Sequence, residues 1–216
     1  MQKILPPVIP EYLAPFLKLC HRRKMKKNAE FIHKGDKAGS LYYLLSGSVT
    51  AILEDGEGKE IVLTYINKGE FIGEMGLFLP QPKRSVLVRT RTECELAEIS
   101  YDRFEKLLES DLKPHAKAIL FAISRQVVER LISTSNKVSD LAFLDVTGRI
   151  ASTLLTLSEE PDAMTHPDGM QIKITRQEIG KIVGCSREMA GRVLKKLEEE
   201  GLVWVKGKTI VILGTR

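Results

Sequence analysis

Residues 175–197, TRQEIGKIVGCSREMAGRVLKKL, decide how this chain reads. They predict two short helices joined by a tight turn, the layout of a DNA-reading helix-turn-helix. Thr175 and Glu178 stand at capping-box spacing, so a helix starts there. Ile179, Ile182 and Val183 supply its apolar stripe. Gly184 supplies the turn, since it takes the positive φ of a sharp reversal without a Cβ clash. Ser186 is placed to cap the second helix, whose inward positions are Ala190, Val193, Leu194 and Leu197. Its other face carries Arg187, Glu188, Arg192 and Lys195. An Arg grips guanine O6 and N7 with two hydrogen bonds, and a Glu accepts from cytosine N4. Arg187, Glu188 and Arg192 occupy the first two turns, so all three reach one groove floor. The plain alternative is a solvated, charged helix face.

Downstream, Gly201 ends the helix as a C′ glycine. LVWVKGKTIVIL (202–213) then alternates around Lys206-Gly207-Lys208 and predicts a β-hairpin, a wing after the helix-turn-helix. Its lysines either meet phosphates or keep a surface turn soluble.

Upstream, residues 30–100 read as β. FIHKGD (31–36), SLYYLLSGSVTAILED (40–55), KEIVLTYINKGEF (59–71) and SVLVRTRTECELAEIS (85–100) are short alternating or apolar runs broken by Gly and Asp turns. Closely spaced strands of this kind predict a barrel or jelly roll. Tyr101 to Glu109 predicts a short helix, with Pro114 in the first turn of the next. From there Leu120, Ser124, Val127, Leu131, Thr134, Val138 and Leu141 recur at alternating spacings of three and four. Such a seam cannot be buried by one helix alone, so it predicts a parallel homodimer along residues 120–141; packing on the chain's own barrel is the alternative. A further helix runs from Val146 to Leu157, and SEEPDAMTHPDGMQ (158–171) reads as a loop.

Composition narrows the class. Of 216 residues, 43% are hydrophobic and 28% charged, as in ordinary folded proteins. No run of roughly 18 or more apolar residues exists, so no membrane span is expected. MQKILPPVIPEYL at the start lacks a signal-peptide core, which predicts a cytoplasmic protein. Cys20, Cys94 and Cys185 are scattered, which argues against a metal centre or disulfide framework. The net charge of +5 suits a polyanionic partner. HRRKMKK (21–27) is the densest basic run, either a solvated patch or a contact surface.

A second constellation lies in GEFIGEMGLFLPQPKRS (69–85). Gly73-Glu74-Met75-Gly76 is a glycine-punctuated turn whose backbone N–H groups can converge on an anion. Arg84 suits a doubly hydrogen-bonded phosphate, and Ser85 adds a neutral donor. Glu74 repels phosphate but accepts from a hydroxyl such as a ribose 2′-OH, so the set points to a nucleotide. A structural Glu74–Arg84 ion pair is the alternative. The region offers no His, carboxylate pair or metal cluster to activate water, which argues against an enzyme.

Three runs carry a resemblance: LAFLDVTGRIA (141–151), PDAMTHPDGMQIKITRQEIGKIVGCSRE (161–188) and GEFIGEMGLF (69–78). Through them the chain resembles, over nearly its whole length, the cyclic-AMP receptor (catabolite activator) family of Gram-negative bacteria, within the CRP-FNR superfamily. The resemblance implies an α+β fold: a β jelly-roll cyclic-nucleotide-binding domain (1–114), a dimerisation helix (115–142) and a winged helix-turn-helix DNA-binding domain (143–216). It implies a cyclic-AMP-responsive dimeric transcription regulator that binds palindromic TGTGA-type sites. Glu74 matches the family's ribose ligand; Gly73, Met75, Arg84 and Ser85 fall in its phosphate cradle. Thr134 and Ser135 match the pair on adenine, Ser135 across the dimer. Arg187, Glu188 and Arg192 match the base readers, with Arg176 and Lys195 on phosphates and Ser186 beside them in the DNA-binding set. Thr165 and His166, in the loop after the helix that ends at Leu157, match one RNA polymerase contact, and His21, Arg23 and Arg103 a second. The residues around Phe143–Asp145 match the hinge. Two departures stand out. The stretch around LESDLKPHAKAIL (108–120) is five residues longer, and LFLPQPKRS (77–85) has two prolines where acidic residues are usual. A same-fold regulator with another trigger, such as cyclic di-GMP, or with none, is the alternative.

Overall fold

The computed structural model describes residues 10–79 and 83–215; Pro80 and Pro82, the prolines of the departing loop, lie outside them. The chain divides into two compact units. One comprises the chain up to Glu54 with Thr64–Ile132; the other comprises Asp55–Leu63 with Ser133–Arg216. Residues 55–63, expected inside the 1–114 segment, thus pack within the second unit.

The first unit holds α1 (Leu13–Leu19), β1 (His21–Met25), β2 (Glu30–Ile32), β3 (Ser40–Ser46), β4 (Ser48–Glu54), the second half of β5 (Glu60–Asn67), β6 (Phe71–Ile72), a 3-10 turn (Glu74–Leu77), β7 (Leu87–Thr90), β8 (Cys94–Ser100), α2 (Tyr101–Glu109) and the start of α3 (Ala116–Phe143). The strands form two four-stranded sheets, ordered β1-β8-β3-β6 and β2-β7-β4-β5. Strand β3 shows why they stack. Tyr42 and Leu44 face one cluster, with Val49, Ala51 and Val88 of the other sheet. Tyr43 and Leu41 face the opposite cluster, with Phe16 of α1, Phe104 of α2 and Ile119 and Ile123 of α3. Side chains alternate with period two, so a strand buried on both faces must be apolar throughout, as LYYL (41–44) is. Phe16 and Phe104 meet edge to face at 5.7 Å, and fully burying such a side chain contributes about 1.5–3 kcal/mol.

Two expectations change here. The basic run 21–27 is partly strand: β1 pairs antiparallel with β8 at the sheet edge, with His21, Arg22, Arg23 and Lys24 exposed. A charged edge deters pairing with a further strand. Pro114 precedes α3 rather than sitting in its first turn. The longer stretch folds into turns, with Lys113 N–H donating to Ser110 O (3.1 Å) and Leu112 buried in the core.

Helix α3 is two-faced. Ile119, Ile123 and Gln126 are buried, whereas Val128, Leu131, Val138 and Leu141 are more than half exposed. Leu120 and Val127, assigned to the seam, are partly buried.

The second unit adds α4 (Val146–Ser158), β9 (Met164–His166), β10 (Gly169–Lys173), α5 (Arg176–Val183), α6 (Arg187–Glu199), β11 (Val203–Lys206) and β12 (Thr209–Leu213). Each helix start is capped as its side chains dictate. Asp145 accepts from Gly148 N–H (2.8 Å). Thr175 and Glu178 close a full capping box, and Ser186 accepts from Met189 N–H (3.1 Å). Gly184 turns the chain at φ 75°. Strands β11 and β12 form the wing and continue into a four-stranded sheet ordered β11-β12-β10-β9. The segment read as a loop over 158–171 therefore contains β9 and the start of β10, and Thr165 and His166 lie on an edge strand rather than in a loop.

Candidate functional site

The nucleotide constellation is built around a left-handed glycine. Gly73, at φ 85°, starts the 3-10 turn. A Cβ there would run into the Arg84 guanidinium and sit 3.0 Å from Ser40 O, so both φ and space require glycine. Arg84 is held from two sides. Its Nη2 donates to Ser40 O (2.7 Å) and its Nη1 to the Tyr101 hydroxyl (3.1 Å). Tyr101 in turn donates to Gly73 O (2.5 Å). Burial pushes the Tyr101 pKa up against the pull of Arg84, which keeps its hydroxyl a donor.

Glu74 is 3% exposed, yet it does not pair with Arg84. Its carboxylate meets Arg130 of α3 at 2.6 Å. Arg130 also donates to Phe71 O (2.8 Å) and lies 3.4 Å from Glu70. One turn earlier, Gln126 brackets the Phe71 backbone, accepting its N–H (2.7 Å) and donating to its C=O (2.8 Å). The structure thus brings Gly73, Glu74 and Arg84 into one corner of the first unit, with the Glu74 carboxylate paired to Arg130 and the Arg84 guanidinium held apart on Ser40 and Tyr101. Ser85 and Met75 are exposed nearby in sequence. Thr134 and Ser135 are exposed on α3, in the second unit. Sequence reasoning missed Arg130, Gln126 and Tyr101. Gln126 and Arg130 do extend the buried stripe of Ile119 and Ile123 at helical spacing, and that was the available signal.

In the second unit, Arg176, Arg187, Glu188, Arg192 and Lys195 line one open groove of about 670 Å³, with Gly191, Leu194, Glu198 and Val205. The spacing of Arg187, Glu188 and Arg192 along the first two turns of α6 accounts for this convergence. Glu198 accepts from Val205 N–H (2.8 Å), which ties the wing to α6. The Glu188 carboxyl is held below its ordinary range by its own backbone N–H, then by Ser186, and by Arg187 and Arg192. It is therefore an acceptor at neutral pH. Ser186 itself spends its hydroxyl on the cap of α6. His21, Arg23 and Arg103 are exposed, and Arg23 sits 3.5 Å from Glu98. Among the described residues, no group of three or more His, Cys, Asp or Glu could hold a metal ion, and no helix is long and apolar enough to cross a membrane.

Family models match both regions. The cyclic nucleotide-binding domain matches residues 22–111, and the crp family of bacterial regulatory proteins matches 172–203. The chain is 54% identical over 209 residues to the cAMP-activated global transcriptional regulator Vfr of Pseudomonas aeruginosa, covering 95% of each. It is 57% identical over 201 residues to the regulator CRP of Salmonella typhimurium, covering 93% of each. Among solved structures, the c-di-GMP responsive global regulator CLP of Xanthomonas campestris superposes with a TM-score of 0.89 at 52% identity, over 94% of this chain and 99% of that one.

Proposed function

The chain belongs to the Crp family of bacterial regulatory proteins, and we propose that within it the chain is a cyclic-AMP-gated, dimeric regulator of transcription. It is a regulator and not an enzyme, as its relatives are.

The observation that carries the ligand reading is the separation of charge around Gly73. Arg84, fixed by Ser40 and Tyr101, offers guanidinium donors to a phosphate. Glu74, buried against Arg130, offers a carboxylate to a sugar hydroxyl. A cyclic mononucleotide has both groups on one ring system. Ser85 and the backbone of Glu74-Met75 complete the phosphate cradle, and the family pattern assigns the base to Thr134 and Ser135.

The outer face of α3 is the dimer seam. Leu131, Val138 and Leu141 are 58–65% exposed, so covering the remainder contributes about 1–2 kcal/mol apiece, against the entropy of association. Arg187, Glu188 and Arg192 read base edges of TGTGA-type half-sites. Arg176 and Lys195 meet phosphates, a salt-sensitive term that carries no sequence. Thr165 and His166, and separately His21, Arg23 and Arg103, are the surfaces for RNA polymerase. Such a regulator works where the chromosome is, in the cytoplasm.

The similarity to a cyclic di-GMP responsive structure favours a second reading with that dinucleotide as the trigger. Titration calorimetry with cyclic AMP, cyclic GMP and cyclic di-GMP, on wild type and Arg84→Ala, separates them. Tight cyclic AMP binding that is lost in Arg84→Ala supports the first reading. Binding of cyclic di-GMP alone replaces it with the second.

A further inference from the structure

Within the second unit, the segment 55–63 is tied at both ends. Its turn is braced by Asp55, whose Oδ1 accepts the N–H groups of Glu57 and Lys59, both at 2.9 Å, while Asp55 N–H donates to Lys59 O (3.1 Å). A turn bonded in this way moves as a body. On one side Lys137 of α3 donates from Nζ to Val62 O (3.0 Å) and Leu63 O (2.5 Å). On the other, Glu60 meets Lys181 of α5 at 2.6 Å, with side chains 14% and 32% exposed. That pair is more sheltered than the surface pairs that contribute little.

We infer that Lys137, segment 55–63 and the Glu60–Lys181 pair form a relay that transmits movement of α3 to the first helix of the helix-turn-helix. The inference rests on the cyclic-nucleotide reading above, because it begins at the base-binding pair. Lys137 lies three residues beyond Thr134 and two beyond Ser135, so a ligand that shifts α3 there shifts Lys137 with it. The ammonium pulls on two consecutive carbonyls of β5. Glu60, two residues before Val62, carries the pull to Lys181. Desolvation lowers the Lys137 pKa, the cost of keeping that ammonium on backbone carbonyls. Glu60, Lys137 and Lys181 are positioning residues in this scheme; none is assigned to ligand or DNA. A parallel tie exists at the α3–α4 corner, where Ser152 donates to Asp140 (2.9 Å) and Arg149 donates to Leu144 O (2.9 Å) and Val183 O (3.3 Å). Cutting the relay therefore weakens coupling without abolishing it.

The test is the coupling ratio: DNA affinity with cyclic AMP divided by affinity without, by fluorescence anisotropy on an inverted TGTGA repeat with the full chain. Glu60→Lys, Lys181→Glu and Lys137→Met should each lower the ratio by about five-fold or more, a loss within the usual range of coupling energies. Cyclic AMP affinity of the DNA-free protein, by calorimetry, should stay within about two-fold, because none of the three is a ligand contact; by reciprocity the lost coupling shows in the DNA-bound protein. Changing a charge near DNA alters both affinities alike and cancels in the ratio, so a merely electrostatic role does not move it. The swapped double variant Glu60→Lys/Lys181→Glu should recover most of the ratio. A wild-type ratio retained in every single variant, or a double variant no better than the singles, overturns the relay and leaves the functional reading standing. A wild-type protein that binds no cyclic AMP, or whose ratio is one, overturns the functional reading and the relay with it.

Discussion

Replacing Arg130 with Met tests whether Glu74 depends on it. Glu74's side chain is 5% exposed and Arg130's 21%, and they meet at 2.6 Å. The substitution keeps the stem and removes the charge. It deletes the ion pair and the bond to Phe71 O (2.8 Å). Removing one partner of a buried pair costs about 3–5 kcal/mol, chiefly because the survivor stays buried and unpaired. Arg130 is partly wet, so water recovers some of that, and a loss of about 2–4 kcal/mol is expected. Glu74→Gln/Arg130→Met removes the buried charge, and Glu70, the other carboxylate near Arg130, is 32% exposed and reaches water in both variants. It should be more stable than the single variant by about 1–3 kcal/mol, the usual range for residues in contact. Urea unfolding of the ligand-free protein by circular dichroism measures both, and native-state hydrogen exchange at Phe71 and Ile72 shows whether the loss is local to β6. An Arg130→Met loss under about 1 kcal/mol, or a double variant no more stable than the single, would refute the reasoning, since surface pairs behave that way.

Three further outcomes are expected. Arg187→Ala should lower specific DNA affinity by about 1–3 kcal/mol and relax preference at one guanine, while Lys195→Ala should weaken all sequences alike and reduce the salt slope by about one; anisotropy on a panel of sites at several salt concentrations distinguishes them. Leu131→Asp with Val138→Asp should turn a dimer into monomers in sedimentation, and a dimer that persists would place the seam elsewhere. Burial raises the Cys20 thiol from the ordinary 9.0 to about 12, against the pull of Arg22 and Arg103. Its stabilising effect is whole below pH about 9 and is lost as pH climbs toward about 12. Cys20 should therefore resist a thiol reagent at pH about 8 until the protein is unfolded, and fast labelling of native Cys20, mapped by mass spectrometry, would contradict the burial.

What could be read from the sequence tracks how far apart the cooperating residues lie. The recognition turn was legible because its determinants are local: Thr175 caps against Glu178, Ser186 against Met189, and Gly184 bends the chain between them. Strand β1 was not, because an edge strand with exposed, charged side chains shows no alternation to detect. Strand β9 has three residues, too few for any period to emerge. The contacts that organise the candidate site span the chain. Tyr101 reaches Gly73 across 28 residues, Arg130 reaches Glu74 across 56, and Lys181 reaches Glu60 across 121. No local pattern encodes such pairs, yet one of them left a trace. A stripe that runs Ile119, Ile123, Gln126, Arg130 turns polar while still aimed at the core. A polar group forced inward must find a partner or pay its desolvation. The backbone of Phe71 and the carboxylate of Glu74 are those partners, so the same helix face that fills the core of the first unit also fixes the strand and the acid on which the ligand reading depends.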